Sequence, residues 1–343
     1  MNILITSIGQ RGYLIDHFRE SARGEFGIYA ADATKYAPAL QKADKAFVLP
    51  MAKEPNYFTK LLQICKDNDV RGVVSINDIE LPVLAQYKGE LAKNNVLAII
   101  SDPEVIDICY DKYKTYKFCK ANRIPAPKTY LWNEKDKLLH DIKTGAIEFP
   151  IIAKPRKGSR SIGIHLVYNM KQLLNDIEFI STQDIPEDEK TMFQEYIDSD
   201  QYSIHVFNDA SLRPISVVTM VNLFRHFGET FHIKTYRDNS LIQLGITIGE
   251  KLGHFGPLSA DVHKRDNGEY VVLEFNPRFS GCYSLSHYAG ADFPGKIFSM
   301  IKNEPIKVKR IDNFDDDVIM LKQFTTQKLS EELISKKIEQ NEQ

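Results

Sequence analysis

The side chains best placed to do chemistry are Glu274, Asn276 and Arg278, each two residues from the next at the end of an apolar run, Val-Val-Leu-Glu-Phe-Asn-Pro-Arg-Phe-Ser-Gly281. In a strand, residues two apart share a face, so Glu274 and Asn276 point one way while Leu273 and Phe275 point the other. The stretch Ser259–Tyr270 reads as the second arm of a hairpin, because Asn267-Gly268 is the strongest two-residue turn signal. With those two residues as the loop, Asp261 faces Glu274. Opposed Cβ atoms lie ~5 Å apart and like charges there repel. Two acids and an amide beside an arginine call for a cation between them, and this oxygen set suits Mg²⁺, or Mn²⁺ in its place, held together with phosphate. The alternative is a solvated hairpin with incidental acids.

The phosphate half of such a site has a candidate far upstream. Phe149 to Ile164 reads Phe-Pro-Ile-Ile-Ala-Lys-Pro-Arg-Lys-Gly-Ser-Arg-Ser-Ile-Gly-Ile, a buried strand carrying Lys154 and then a loop of small residues. A lysine on an apolar strand is costly to bury unless it meets an anion. The loop that follows exposes backbone N–H groups that can cradle phosphate oxygens. Gly158 and Gly163 have Walker spacing, but Ile164-His165 stands where that motif needs Lys-Ser/Thr. The loop is therefore a phosphate cradle of another kind, or a simple hairpin turn.

These residues need elements to hold them. Asn2–Ser7, Gly27–Ala31, Arg71–Ile76 and Asn95–Ile100 read as buried strands separated by helical patterns, which predicts an α/β layer with a parallel sheet. Ligands of open α/β sheets sit beyond the carboxyl ends of the strands, which makes the tips, with Arg11, Asp32, Asp78 and Glu80, a candidate substrate pocket together with Arg225 and Tyr283. Gly9-x-x-Gly12 is too short for a dinucleotide fingerprint. A helix is expected from Asp111 to Asn122, and the polar tail from Gln327 reads as a surface helix that frays or docks on a partner subunit.

Composition narrows the class. Across 343 residues, 44 Lys+Arg against 46 Asp+Glu leave a net charge of −2, with no electrostatic footprint for nucleic acid or anionic membrane. A hydrophobic share of 43% and 26% charged residues describe an ordinary globular protein. Cys65, Cys109, Cys119 and Cys282 are scattered without a CxxC pair, as expected of reduced core thiols in a cytoplasmic protein. The N-terminus lacks the basic and apolar regions of a signal peptide, and no apolar run is long enough to span a membrane.

In order and spacing, these blocks resemble the ATP-grasp superfamily, in particular stand-alone proteins similar to one half of the carbamoyl-phosphate synthase large chain. Asp111-Lys112-Tyr113-Lys114-Thr115 resembles the family's D-K-x-x-T helix start, whose lysine reaches ATP phosphate. Ile152-Ala-Lys-Pro155 resembles the strand with the second ATP lysine, and Lys157, Gly158, Ser159, Ser161 and Gly163 its glycine-rich flap. Phe193–Ile197 is similar to the segment whose backbone, at Glu195, Tyr196 and Ile197, pairs with adenine. Asp261, Glu274 and Asn276 match the magnesium ligands, and Arg278 the arginine that steadies the transferring phosphate. Lys234, in a basic loop segment, is a third phosphate contact on the same analogy.

The resemblance implies a fold and a reaction. The fold is α/β, becoming α+β in the ATP-binding part. A parallel-sheet pre-ATP-grasp domain spans 1–104, a small subdomain with the flap 105–192, a C-terminal subdomain with the metal site 193–310, and a final strand, helix and tail 311–343. Two positions depart from the pattern: Gln201 stands where the family commonly has a ribose-binding glutamate, and His205 where many relatives carry an acid. The implied reaction uses ATP and Mg²⁺: a carboxylate attacks the γ-phosphate with Arg278 and Lys154 as the catalytic cations, ADP leaves, and an amine, less often a thiol, captures the acylphosphate. Partners are then small-molecule carboxylates and amines, and a homodimer is compatible with such a protein. Two other readings stay open, a carbamoyl-phosphate-type kinase acting on bicarbonate or carbamate, and an ATP-binding module without turnover.

Overall fold

The computed structural model describes residues 1–158, 162–187, 189–226 and 228–339. It opens with a parallel sheet of β1 (Asn2–Thr6), β2 (Gly27–Asp32), β3 (Lys45–Val48), β4 (Val70–Ser75) and β5 (Leu97–Ala98) in the order 3-2-1-4-5. The crossovers carry α1 (Gly12–Ala22), α2 (Tyr57–Asp67), α3 (Leu81–Gln86) and α4 (Lys88–Lys93). Ile3 and Ile5 enter one core with Leu14 and Phe18 of α1, while Leu4 enters a second core with Leu61, Leu84 and Leu91. Covered on both faces, β1 must be apolar throughout, which is why it was legible as a continuous run. The strand missing from the expectation, β3, is a four-residue edge strand that opens on the charged Lys45, just after Asp44. The strand order reverses between β1 and β4, so the crevice for a ligand opens beyond their carboxyl ends.

Next, α5 (Pro103–Tyr110) and α6 (Lys112–Ala121) lead into a four-stranded antiparallel sheet of β6 (Thr129–Tyr130), β7 (Ile151–Pro155), β8 (His165–Val167) and β9 (Thr191–Glu195), ordered 6-9-7-8. Leu138 of α7 (Lys135–Lys143) and Leu173 of α8 (Met170–Ser181) share a core with Ile151, Ala153 and Phe193. By strand alternation, Lys154 and Gln194 therefore sit on the sheet's other face.

The largest sheet is antiparallel and joins β10 (Gln201–Asn208), β11 (Pro214–His226), β12 (Glu229–Thr235), β13 (Gly256–Lys264), β14 (Tyr270–Asn276) and β15 (Ile319–Leu321) in the order 14-13-10-11-12-15. One face carries α9 (Asn239–Leu252), capped at its start by the Asp238 carboxylate and ended by Gly253 at φ +60°. A Cβ on Gly245 would lie 2.7 Å from the side chains of both Ile204 and Val217. Gly245→Ala is therefore expected to lose roughly 1–3 kcal/mol of stability in urea titrations, although alanine is the better helix former by ~1 kcal/mol. After β14, α10 (Tyr283–Tyr288) and α11 (Phe293–Ile301) pack back on α1, with Phe26 stacked on Phe298 at a centroid separation of 4.4 Å. The first and last sheets thus share an apolar core.

The tail departs from expectation. α12 (Glu331–Glu339) docks on the chain's own first unit, where Lys337 Nζ donates to the Ala43 carbonyl at 2.6 Å and Glu331 pairs with Lys35. The expected boundaries at 104 and 192 fall inside α5 and β9. All four cysteines are buried and unpaired, and among the described residues no helix is long and apolar enough to cross a membrane.

Candidate active site

Asp261 does face Glu274, but through two departures that cancel. Arg265 pairs with Glu269, and the Gly268 N–H donates to the Arg265 carbonyl at 2.8 Å, so the turn spans Arg265–Gly268 with Gly268 at φ +87°. That turn sets Val262 opposite Val272 instead of Leu273, one residue off the expected register. Leu273 then bulges out, and from Asp261–Glu274 onward the strands pair as expected. A bulge beside a functional group is a common means of re-aiming a side chain. Here it brings the two carboxylates together.

Burial, and next the charge of Glu274, push the Asp261 carboxyl well above the ordinary carboxylate range. Ser203 Oγ donates to Asp261 Oδ1 at 3.4 Å, and Gln201, two residues earlier on the same face, accepts from Arg225. Across the cleft, Lys112 Nζ stands 3.8 Å from Glu274 Oε2 and donates to the Gly158 carbonyl at 2.6 Å. Its helix start is held by Asp111, which accepts from the N–H groups of Tyr113 and Lys114 and pairs with Arg156 at 2.7 Å. Lys154 donates to Gln194 Oε1 at 2.7 Å, and Gln194 in turn donates to Thr129 Oγ1 at 2.8 Å. Burial pulls the Lys154 ammonium down to about 8, against the charge of Glu274 and with that of Lys112. Lys112 of the leading helix thus meets Glu274 of the large sheet, Lys154 of the small sheet feels the same charge, and Asp261 faces Glu274 from the next strand.

Arg278 is placed differently from the expectation of a free phosphate contact. Its Nε and Nη2 each donate to one oxygen of Asp78, both at 2.7 Å, and Nη2 also reaches Asn276 Oδ1 at 3.3 Å. Asp78 lies just past the tip of β4, so the pair ties the first sheet to the end of β14. Burial opposes the charge on Arg278, but Asp78 and the acids behind it outweigh that cost and hold its pKa above the ordinary value. Arg11 donates to the carbonyls of Ile76 and Phe279 beside it. Asp78 was legible as a strand-tip residue; its pairing with Arg278, 200 positions on, has no local signal.

Other expected residues separate into those near the cleft and those elsewhere. Lys157, Gly158 and Gly163 lie between β7 and β8, with the glycines at φ +127° and +74°, while Ser159 and Ser161 fall outside the described residues. The Glu195 N–H is taken by the Lys128 carbonyl at 2.8 Å and its carboxylate by Arg265, so neither of these groups is open for a base. Tyr196 and Ile197 lie beyond the strand end, where their N–H groups make no backbone hydrogen bond among the described residues. Lys234 is not brought to the cluster: it pairs with Val221 on the α9 side of the sheet and forms an ion pair with Asp317. Glu80 is buried among the hydroxyls of Thr6, Tyr57 and Ser75, and Tyr283 is 1% exposed with its hydroxyl between Ala291 and Phe293, so neither lines a substrate pocket. His205 is buried, held neutral by burial and bonded to Ser286 Oγ at 2.7 Å, which gives it a packing role.

Residues 109–282, just over half of the chain, match the model of the ATP-grasp domain. The chain belongs to the ATP-grasp family. Ahead of that domain, residues 3–99 match the PylC-like N-terminal domain. The chain is 25% identical to a D-alanine–D-alanine ligase of Marinomonas sp. (strain MWYL1) over 267 residues, 69% of this chain and 82% of that protein. It is 26% identical over 221 residues to the carbamoyl phosphate synthase large chain of Thermoplasma acidophilum, covering 62% of this chain and 21% of that one. Among solved structures, biotin carboxylase from Campylobacter jejuni superimposes with a TM-score of 0.72 over 92% of this chain and 74% of its own, at 14% identity. The ATP-grasp fold accounts for the arrangement of two antiparallel sheets around one cleft.

Proposed function

We propose that this ATP-grasp protein is an ADP-forming ligase that activates a small-molecule carboxylate as an acylphosphate and passes it to an amine. The observation that carries the reading is Lys112 3.8 Å from Glu274, with Lys154 under the charge of the same carboxylate and Asp261 facing it on the neighbouring strand. Lysines there neutralise a triphosphate. The facing acids, with Asp261 pushed well up by burial and by the charge of Glu274, fit a Mg²⁺ site completed by Asn276. A magnesium ion held there would neutralise phosphate oxygens, and the protein's own contribution is to position and to exclude water. Tyr196 and Ile197 offer free backbone donors for the base, Gln201 an amide for the ribose, and the loop at Gly158 and Gly163 the cover that keeps water from an acylphosphate. The acceptor would enter from the crevice at Arg11 and Asp78.

The D-alanine–D-alanine ligase supports carboxylate and amine as co-substrates. The test is ADP and phosphate release by the purified chain, measured against a matrix of small carboxylates and amines. Release that needs one of each supports the ligase, release with bicarbonate or carbamate alone makes it a kinase of the carbamoyl-phosphate type, and ATP binding without release under every pair sinks both.

The depressed Lys154 ammonium has its own signature. An anion binds the charged form, so below about 8 the free protein already carries the proton, and above it the proton must be taken up on binding. ATP affinity is expected to be flat on the acid side and to weaken by up to ~tenfold per pH unit above it. Equilibrium titration with a fluorescent ATP analogue reads this slope, and Lys154→Arg, charged at every working pH, should flatten it.

A further inference from the structure

The seam where α1 meets α10 gathers two imidazoles and a carboxylate that the proposed ligation does not use. His17 and Glu20 stand three residues apart on one face of α1, and His287 lies in the last turn of α10. One nitrogen of each ring and one Glu20 oxygen lie within 4.8 Å of one another. The separation between His287 Nε2 and Glu20 Oε2 is 3.3 Å, about the edge of a tetrahedron whose metal–ligand bonds are ~2.0–2.1 Å. Glu20 is exposed, so its long side chain can shorten the wider gap at little cost, and the ion has a path from solvent.

The surroundings favour a ligand over a plain ion pair. His17 is 4% exposed, and its ring lies 4.2 Å from that of His287 at 31°. Each imidazole has one nitrogen engaged by a hydroxyl, His17 Nε2 with Ser284 Oγ at 2.9 Å and His287 Nδ1 with Tyr283 OH at 3.4 Å. Such outer bonds fix the orientation of ligating rings. The rings of Tyr283 and Tyr288 pack around His17 with centroids 6.1 and 5.4 Å away, an apolar wall of the kind that strengthens metal–imidazole bonds.

We propose that His17, Glu20 and His287 form a binding site for a borderline divalent transition ion such as Zn²⁺, with water completing the coordination, that clasps the parallel-sheet unit to the segment following Arg278. The two-imidazole, one-carboxylate set selects against Mg²⁺, which takes the all-oxygen cluster at Asp261 and Glu274. The clasp would close the same seam that the apolar core of α1, α10 and α11 already holds, and would therefore raise the stability of the joined units.

Co²⁺ is the probe, titrated into the full chain in buffer holding excess Mg²⁺ and followed by the visible absorption of the bound ion. The expected result is saturable binding of one Co²⁺ per chain, displaced by Zn²⁺, without the charge-transfer band of a thiolate. Glu20→Gln, at an exposed position that leaves folding alone, should weaken binding at least ~tenfold, and His287→Gln should abolish it. Zn²⁺ should also raise the unfolding midpoint of the parent chain and not of either variant. Absence of saturable binding, or binding that survives both substitutions, overturns the site.

Discussion

Arg278→Ala is expected to cut turnover by roughly 10²–10³-fold while leaving the dissociation constant of ATP within a few-fold of the parent, because a guanidinium aimed at transferring charge acts in the transition state and little in the ground state. The pairing with Asp78 adds a second effect that must be separated from the first. Removing Arg278 strands a carboxylate whose side chain is only 22% exposed, and a partly buried acid left without its partner destabilises the fold. Two further variants make the separation. Asp78→Asn frees the guanidinium while keeping its charge in the site, so it should share any loss of stability but not the loss of turnover. Arg278→Lys keeps a charge but not the two-pronged contact, and should recover stability in part and turnover little. Single-turnover kinetics with saturating ATP read the chemical step directly. If Arg278→Ala turned over ATP at the parent rate, Arg278 would be a strut between the first sheet and the metal strand and nothing more.

That strut also marks the limit of what one sequence could reveal. Four of the five strands of the parallel sheet were legible because burial on both faces forces unbroken apolar runs, the edge strand β3 was not, and α6 was legible from Asp111 at its cap and Asn122 at its end. Lys154 stood out for the same reason: a charge on an apolar strand needs a partner. The pairing of Asp261 with Glu274 was also found, yet by a turn one residue too short and a bulge at Leu273 that no composition rule announces. Lys234 was misplaced because a basic segment does not disclose which side of a sheet each residue takes. Asp78 with Arg278, and His17 with His287, are contacts between units whose relative placement comes from packing of α1 on α10 and α11, not from spacing along the chain.

Glu274→Gln separates activity from stability most sharply. With the charge facing it gone, the Asp261 carboxyl should fall part of the way back while burial still holds it above the ordinary carboxylate range, and a repulsion between facing strands worth roughly 0.2–1 kcal/mol disappears. Against that, Lys112 loses the carboxylate 3.8 Å away and the buried Lys154 loses the acid that supports its charge. These effects oppose one another, so without ligand the variant's unfolding midpoint should stay close to the parent's. Turnover should not: an amide in place of a carboxylate ligand removes a charge that a Mg²⁺ ion needs, and a loss of about 10³-fold or more is expected where metal stabilisation of phosphoryl charge is worth several kcal/mol. Ligand-linked stability carries the decisive contrast, since Mg²⁺ with a non-hydrolysable ATP analogue should raise the midpoint of the parent in a concentration-dependent way and that of Glu274→Gln much less. A variant that lost turnover yet kept the full metal-dependent rise would move the metal away from Glu274, and with it the assignment of this hairpin as the magnesium half of the site.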